Sequence, residues 1–379
     1  MYLLEHDAKE LLAAHGVNSP PGVLVTRADQ SGPVTPGPWI VKGQIAAGGR
    51  GKAGIVRKAA TETDARALAA AILGTVVKGK RVDSVRIEQQ VADAHEAYIG
   101  FLVDAGAGGV RVIVSGHGGI DVEALPADAI RSETVDARVD ALCAGIERLV
   151  SGMSPVHSAA LCSAGAKLAH FFIEREALLV EVNPLFVRAD GSWIAGDAKV
   201  VSDDNALERQ PALRALLFAR RAAYPESALK LEHGFDYVVV DPEGEVGLLT
   251  TGAGLSMMLI DELRAAGMKP YNFLDIRTGG LRGETTRLVK VLQWLGEAPR
   301  VRVVLINIFA GITELGEFSK LLVEAIRQAP ALKVPVVARL VGNGLPAARA
   351  VLEQAGIALH VDLDAALIEV RGHLHRART

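Results

Sequence analysis

From residue 236 onwards, short apolar runs alternate with amphipathic helical stretches, and that alternation restricts this half of the chain to a parallel sheet. The strand-like runs are DYVVVD and EVGLLTT (236–251), VRVVLINIF (301–309) and VPVVARLVG (334–342). Between them lie GLSMMLIDELRAAGM (254–268), a helical stretch over 315–328 and LPAARAVLEQAG (345–356). Strands without a polar face fit a sheet covered by helices on both sides. The first half has another rhythm. A helix is expected over Glu5–His15, with Leu4, Ala8, Leu11 and Leu12 on one stripe and Gly16 as its cap. Strands follow at 22–26 and 39–45, then a Gly-rich turn at 48–54, a helix at 63–73 and a strand at 85–91. Residues 97–104 and 110–115 form an antiparallel pair, and 134–178 reads as a long Ala- and Leu-rich helical region. The expected class is α/β with an α+β first half, divided at about 225–235 into domains 1–230 and 231–379.

At 379 residues the chain exceeds one ordinary core and suggests two or three domains. A 50% hydrophobic and 22% charged composition excludes a disordered chain. The net charge of −3 gives no electrostatic reason to bind nucleic acid or an anionic membrane. Cys143 and Cys162 lack metal spacing and read as reduced packing residues of a cytoplasmic protein. The opening MYLLEHDAKELLAAHG lacks the layout of a signal peptide, and no apolar run reaches the roughly 18–20 residues that span a bilayer.

The stretch 181-EVNPLFVRADGSWIAGDAKV-200 reads as a hairpin centred on Asp190. That register places Val187 opposite Trp193, Asn183 opposite Asp197 and Glu181 opposite Lys199. Because side chains alternate, all of these share one face, apolar near the turn and polar at the open end. Cross-strand partners lie about 5 Å apart, so an amide oxygen and a carboxylate can share one cation. Two hard oxygens suit Mg²⁺, which keeps waters and takes further oxygens from phosphates. A solvated strand end with a Glu181–Lys199 ion pair explains the same four residues.

A phosphate binder is offered by 39-WIVKGQIAAGGRGKAG-54. Lys42 is a lone charge in a strand that reads as buried, so it requires an anionic partner. The turn that follows brings glycine N–H groups, Arg50 and Lys52. The G-x-x-x-x-G-K-[ST] spacing of a Walker loop is absent. Together with Glu88 in VRIEQQ, these elements suit a fold that clasps ATP between two sheets.

The segments KGQIAAGGRGKAG, LLVEVNPLFVRADGSWIAGDAKV and DDNALERQP closely resemble the ATP-grasp half of the succinyl-CoA synthetase β-subunit family. EVGLLTTGAGLSMMLIDEL, YNFLDIRTGG, VLINIFAGI and VPVVARLVGN resemble its flavodoxin-like C-terminal domain. The likeness runs from the first helix to the last strand–helix unit. It implies that Lys42, Gly49, Arg50 and Gly51 hold phosphates, that Glu88 and Glu96 bind the nucleotide, and that Asn183 and Asp197 ligate Mg²⁺. Glu181 would assist phosphoryl transfer beside the metal. The family uses ATP or GTP to phosphorylate a histidine on a partner α subunit, passes the phosphoryl group to a carboxylic acid, and lets CoA thiol displace it. CoA is then bound mainly by that partner, in an αβ or α2β2 assembly. His117 lies where the family has no phosphoacceptor and reads as a loop residue. His6, His233, His360, His373 and His375 read as surface or terminal residues.

The turn 252-GAGLSMM-258 opens a helix whose N-terminus suits a phosphoryl group, although a plain strand–helix turn looks the same. The resemblance assigns the phosphohistidine and acid side to Thr251, Gly252, Gly254, Arg277, Gly311, Ile312 and Thr313, and here the chain departs from the family. Thr251 replaces an Asn, Arg277 and Thr278 replace glycines, and Glu314, Leu315 and Gly316 stand where the family has a basic residue, Cys and Asp. Losing an amide, gaining a guanidinium and reversing a charge alter which acid fits. The expectation is therefore a ligase for an acid other than succinate, with a further anionic or hydroxyl group that Arg277 can reach; loops that face solvent or the partner would instead leave succinate as the substrate. An ATP-grasp carboxylate ligase without the phosphohistidine relay, or a non-catalytic paralogue, are the competing readings.

Overall fold

The computed structural model describes residues 1–30, 32, 35–119, 129–277, 283–311 and 313–377. Thr278 and Ile312, both singled out above, lie outside the described residues. The chain forms two compact units, Met1–Tyr224 and Pro225–Thr379.

The first unit opens with α1 (Glu5–Ala13), followed by β1 (Gly22–Val25), β2 (Trp39–Gly43) and β3 (Val56–Ala59). After α2 (Glu62–Ile72) and the two-residue strands β4 (Val76–Val77) and β5 (Lys80–Arg81) comes β6 (Val85–Gln89). β1, β6, β2 and β3 lie in that order in one antiparallel sheet. Its register pairs Val41 with Ile87 and Lys42 with Arg86. The two faces therefore differ in chemistry. Val41, Val85 and Ile87 pack with Ala65, Ala69 and Ile72 of α2 in an apolar core. The opposite face presents Lys42, Arg86 and Glu88, and these are buried too. Thr61 and Asp64 form a reciprocal cap that starts α2 at this sheet.

A larger sheet holds β7 (His95–Asp104), β8 (Gly109–Ser115), β9 (Arg131–Val135), β10 (Ala177–Val187), β11 (Trp193–Ala195) and β12 (Lys199–Ser202). The expected 134–178 helix is two helices, α3 (Val139–Leu149) and α4 (Pro155–Glu174), and its first residues complete β9. The break lies at Ser154-Pro155. The Ser154 hydroxyl accepts from His157 N–H, and Pro155 occupies the first turn, where its missing N–H is harmless. Leu142 and Ile146 with Leu161, Leu168 and Phe172 cover one face of this sheet. α5 (Pro211–Ala219) closes the unit.

In the second unit α6 (Pro225–His233) precedes β13 (Asp236–Val239), β14 (Val246–Thr250), α7 (Ala253–Ala265), β15 (Asn272–Asp275) and α8 (Thr286–Glu297). β16 (Val303–Ala310), α9 (Leu315–Arg327), β17 (Val336–Gly342), α10 (Leu345–Gln354), β18 (Leu359–His360) and α11 (Leu363–Arg376) complete it. β14, β16, β17 and β18 form the expected parallel sheet. Its two faces bury Ile306 and Ile308 under α8 and α9, and Val303 and Leu305 under α7 and α11. β13 departs from that pattern by pairing antiparallel with β15. The short 240–245 connection excludes a parallel place beside β14, since a parallel neighbour requires a crossover of a dozen residues or more.

Candidate functional site

The hairpin register is as the sequence indicates. Val187 faces Trp193, Leu185 faces Ala195 and Glu181 faces Lys199. Between these pairs the ladder opens. Pro184 has no N–H to donate, and its carbonyl accepts Gly196 N–H at 2.9 Å while β10 passes from β11 to β12. Asn183 and Asp197 thus stand at a gap in the strand pairing, with side chains turned to other partners. Asn183 Oδ1 accepts Gly119 N–H at 2.7 Å. Asp197 receives Arg50 through both carboxylate oxygens, at 2.8 and 2.7 Å.

Arg50 comes from the Gly-rich turn, and its other side faces α1. Its Nη1 lies 2.7 Å from Glu5 Oε2, an ion-pair contact without hydrogen-bond alignment. Glu5 is the hub of the polar face. Its Oε1 lies 2.6 Å from Lys9 Nζ and 2.8 Å from Lys42 Nζ. Glu88 receives the same two lysines, each at 2.7 Å, together with Arg86 Nε at 2.7 Å. Both ammonium groups also donate to the Gly196 carbonyl at 2.8 Å. The side chains of Glu5 and Lys9 are 1% exposed and that of Glu88 is 2% exposed, so this is a closed ionic network under the Asp197 backbone.

The electrostatics follow from that closure. Burial works against ionising Glu5, but Lys42, Lys9 and Arg50 outweigh it and hold the carboxyl well below its ordinary value. Glu88 is lowered in the same way, against burial, by Lys42 and Lys9. Burial also opposes the Lys42 charge, yet Glu5, Glu88 and Asp197 together raise it above the ordinary lysine value. For Lys9 burial prevails over Glu5 and Glu88, and the value falls.

Glu181 stands on the neighbouring stretch of β10, opposite both Gly100 and Lys199. Lys199 Nζ lies 3.6 Å from Glu181, so the expected ion pair is present. A side chain at Gly100 would touch the Tyr98 hydroxyl at 2.9 Å, so the glycine leaves that ring its place beside Glu181. Burial, and then Glu181, push the Tyr98 phenol up. Tyr2 is pushed up to about 12 by burial, Asp197 and Glu181, with Arg50 opposing. Glu96 belongs to the same corner, because a β-carbon on Gly119 would lie 1.5 Å from its Oε2. Gly49 and Gly119 have φ of +75° and +73°, a region that suits glycine. Gly51 has open space where a side chain would be.

Lys42, Arg50, Glu88 and Asp197 are therefore brought into contact, Asn183 and Glu96 meet at Gly119, and Glu181 pairs with Lys199. Glu5, Lys9 and Arg86 complete the network without having been singled out from sequence. The available signal was that Glu5 and Lys9, one turn apart, fall on the same helix face as Ala8 and Leu12, which places two charges on the buried side. Asn183 and Asp197 offer an amide oxygen and a carboxylate, a donor set that fits Mg²⁺ once Arg50 releases Asp197. Among the described residues no three His, Cys, Asp or Glu side chains group to hold a metal unaided.

In the second unit, Gly252 caps α7 with φ +87° and donates its N–H to Asp275 at 2.9 Å. Arg277 N–H reaches the same Asp275 oxygen at 3.1 Å, and its guanidinium pairs with Asp236 at 2.6 Å. Lys230 holds the other Asp236 oxygen at 2.7 Å. Gly254 and Gly311 have open space at their β-carbon positions. Thr251 is partly exposed, and Thr313 is partly buried just before α9. Glu314, expected on the acid side, caps α9 by accepting Glu317 N–H at 2.6 Å. Three histidines are less superficial than expected. His6 Nδ1 lies 2.7 Å from Arg86, His233 stacks on Phe235, and His360 contacts Glu369.

An ATP-grasp domain model matches residues 2–187 and a CoA-ligase model matches residues 249–369. The chain is 37% identical to the succinate–CoA ligase [ADP-forming] subunit beta of Chloroflexus aurantiacus, over 94% of each chain. It is 35% identical to the succinate–CoA ligase [GDP-forming] subunit beta of Thermus thermophilus, over 93% of each. The fold matches the ATP citrate lyase of Methanothrix soehngenii with a TM-score of 0.70 at 18% identity, over 95% of each chain. No helix among the described residues is long and apolar enough to cross a membrane.

Proposed function

This chain belongs to the succinate–CoA ligase β-subunit family, and from that premise we propose how its residues divide the work of nucleotide-driven acid–CoA ligation. Lys42 and Arg50 turn to the phosphates of ATP or GTP, with the N–H groups around Gly49 and Gly51 closing on the same oxygens. Glu88 holds Lys42 in line, and Glu96 contacts the nucleotide from the Gly119 corner. Asn183 and Asp197 are the protein ligands of Mg²⁺, which when bound neutralises phosphate charge. Glu181, beside Tyr98 and Lys199, orients the group that exchanges the phosphoryl. That group is a histidine on a partner α subunit, which also holds most of the CoA. A carboxylic acid takes the phosphoryl group as an acyl phosphate, and the thiol then displaces phosphate. The observation that carries this reading is the meeting of Lys42 and Arg50, from one strand and the turn after it, with Asp197, 147 positions beyond Arg50, in one cluster joined through Glu5.

The acid differs from succinate by an added anionic or hydroxyl group. Arg277, 53% exposed beside Asp236, brings a guanidinium to a position where the family has a glycine, and that supports a substrate with such a group. The test is turnover of a panel of dicarboxylic, hydroxylated and sulfonated acids by the chain with its co-expressed partner. The substituted acid is expected to be preferred, and Arg277→Ala to reduce that preference about tenfold or more. Preference for succinate, indifferent to Arg277→Ala, would refute it. Transfer of γ-phosphate label to a partner histidine separates this mechanism from a relay-free ATP-grasp ligase.

A further inference from the structure

Lys9 has no part in the division of labour above, yet it is the most enclosed cation of the network. It reaches Glu5, Glu88 and the Gly196 carbonyl, and Lys42 reaches the same three groups. Two ammonium groups on one set of acceptors is more than static packing needs, because like charges at that separation repel. The duplication makes sense if one of the two must leave.

A count of partners shows what leaving entails. When Lys42 and Arg50 turn to phosphate, Glu5 loses two of its three cations and Glu88 loses one. Arg86 still serves Glu88, being tied to Pro20 O at 2.9 Å and flanked by His6 and, at 4.0 Å, by Glu10. Glu5 keeps only Lys9. A buried carboxylate stripped of every cation is strongly unfavourable. We propose that Lys9 is a positioning residue of the nucleotide site: a fixed ammonium that keeps Glu5 and Glu88 neutralised while Lys42 and Arg50 are lent to the phosphates. The proposal rests on the reading that Lys42 and Arg50 hold phosphate. Lys42 is itself one of the charges that depress Lys9, so its departure strengthens the hold of Lys9 on both acids. The Gly196 carbonyl also keeps one ammonium donor through the exchange, which steadies the peptide leading into Asp197.

The test is calorimetric titration of ADP into the full chain between about pH 7 and 9, in buffers of different ionisation enthalpy, to count protons taken up on binding. Wild type and Lys9→Arg are expected to share one proton count. Lys9→Met is expected to take up as much as one more proton per ADP, because Glu5 is protonated when its cations leave. Its affinity then weakens with rising pH by up to about tenfold per unit. The double variant Glu5→Gln with Lys9→Met removes the acid as well and is expected to restore the wild-type count. It also provides the test if Lys9→Met alone does not fold. An unchanged count in Lys9→Met, a loss of affinity equal at all pH, or an extra proton in the double variant overturns the proposal. Lys42→Met and Arg50→Met run in parallel: wild-type ADP affinity in both overturns the phosphate reading and this proposal with it. Weakened binding there, with a proton-silent Lys9→Met, overturns the role of Lys9 alone.

Discussion

Asp197→Asn should separate the two things that the Asp197 carboxylate does, binding a cation and holding Arg50. Arg50 donates to both Asp197 oxygens, at 2.8 and 2.7 Å. Phosphate must draw Arg50 away from that partner, so the clamp opposes nucleotide binding. Hydrogen bonds to charged groups contribute about 1.5–3 kcal/mol when sheltered from water. Asp197 is 33% exposed, which places this contact near the lower end. An amide keeps some of it, so the substitution should relieve about 0.7–1.4 kcal/mol, a gain of roughly threefold to tenfold in affinity. Without divalent cation, Asp197→Asn is therefore expected to bind ADP more tightly than wild type. With Mg²⁺ the order reverses. Wild type gains affinity because Asp197 becomes a ligand, whereas the variant has exchanged its anionic oxygen for a neutral one and gains little. The assay is titration of ADP with and without a chelator. Weaker chelator-state binding by the variant, together with an intact Mg²⁺ response, would refute the placement of both Arg50 and the cation.

Gly119→Ala places a methyl group 1.5 Å from Glu96 Oε2 at a residue with φ +73°, so it should cost about 1–2 kcal/mol of stability and weaken ADP binding about tenfold. Unchanged ADP affinity in a folded variant would remove Glu96 and Asn183 from the site. Glu5→Gln leaves Lys9, Lys42 and Arg50 without their shared anion and is expected to destabilise the first unit by about 3–5 kcal/mol at neutral pH. The sign of its pH dependence is fixed. Glu5 and Glu88 are held below their ordinary value, so their contribution is complete above about pH 4.3 and disappears as pH falls through the folded-state values. The penalty of Glu5→Gln, measured by denaturant unfolding, should therefore shrink below about pH 4; a penalty constant across that range would show that the carboxylate charge is not what stabilises this face.

What the sequence disclosed depended on whether the partner of a side chain was local. The hairpin was legible because its symmetry about Asp190 is internal, and the structure keeps Val187 opposite Trp193 and Glu181 opposite Lys199. The parallel sheet was legible because strands without a polar face leave few alternatives; β13, which pairs antiparallel with β15, departed from it. Glu314 likewise has a local partner, the Glu317 N–H one turn away, which makes it the cap of α9.

The deeper omission was α1. Its apolar stripe was correct for Leu4, Ala8 and Leu12, yet Glu5 and Lys9 share the face of Ala8 and Leu12 and are buried with them, and Asp7 on another face is buried as well. Periodicity shows that a helix has two faces, but not whether the polar one meets water. Asp7 illustrates the point apart from the nucleotide site: it is closed off by Arg220 and the Tyr224 hydroxyl, more than 200 positions along the chain. A polar stripe that reads i, i+4 as Glu then Lys would ordinarily indicate an exposed helical pair worth a few tenths of a kcal/mol. Here the same pair lies beneath a sheet whose inward face carries Lys42, Arg86 and Glu88, and the lone buried lysine in that strand was the clue. A cation in an apolar strand demands an anion; when that anion must also survive the cation's departure to a substrate, it demands a second cation. Lys9 answers that requirement from the first helix of the chain.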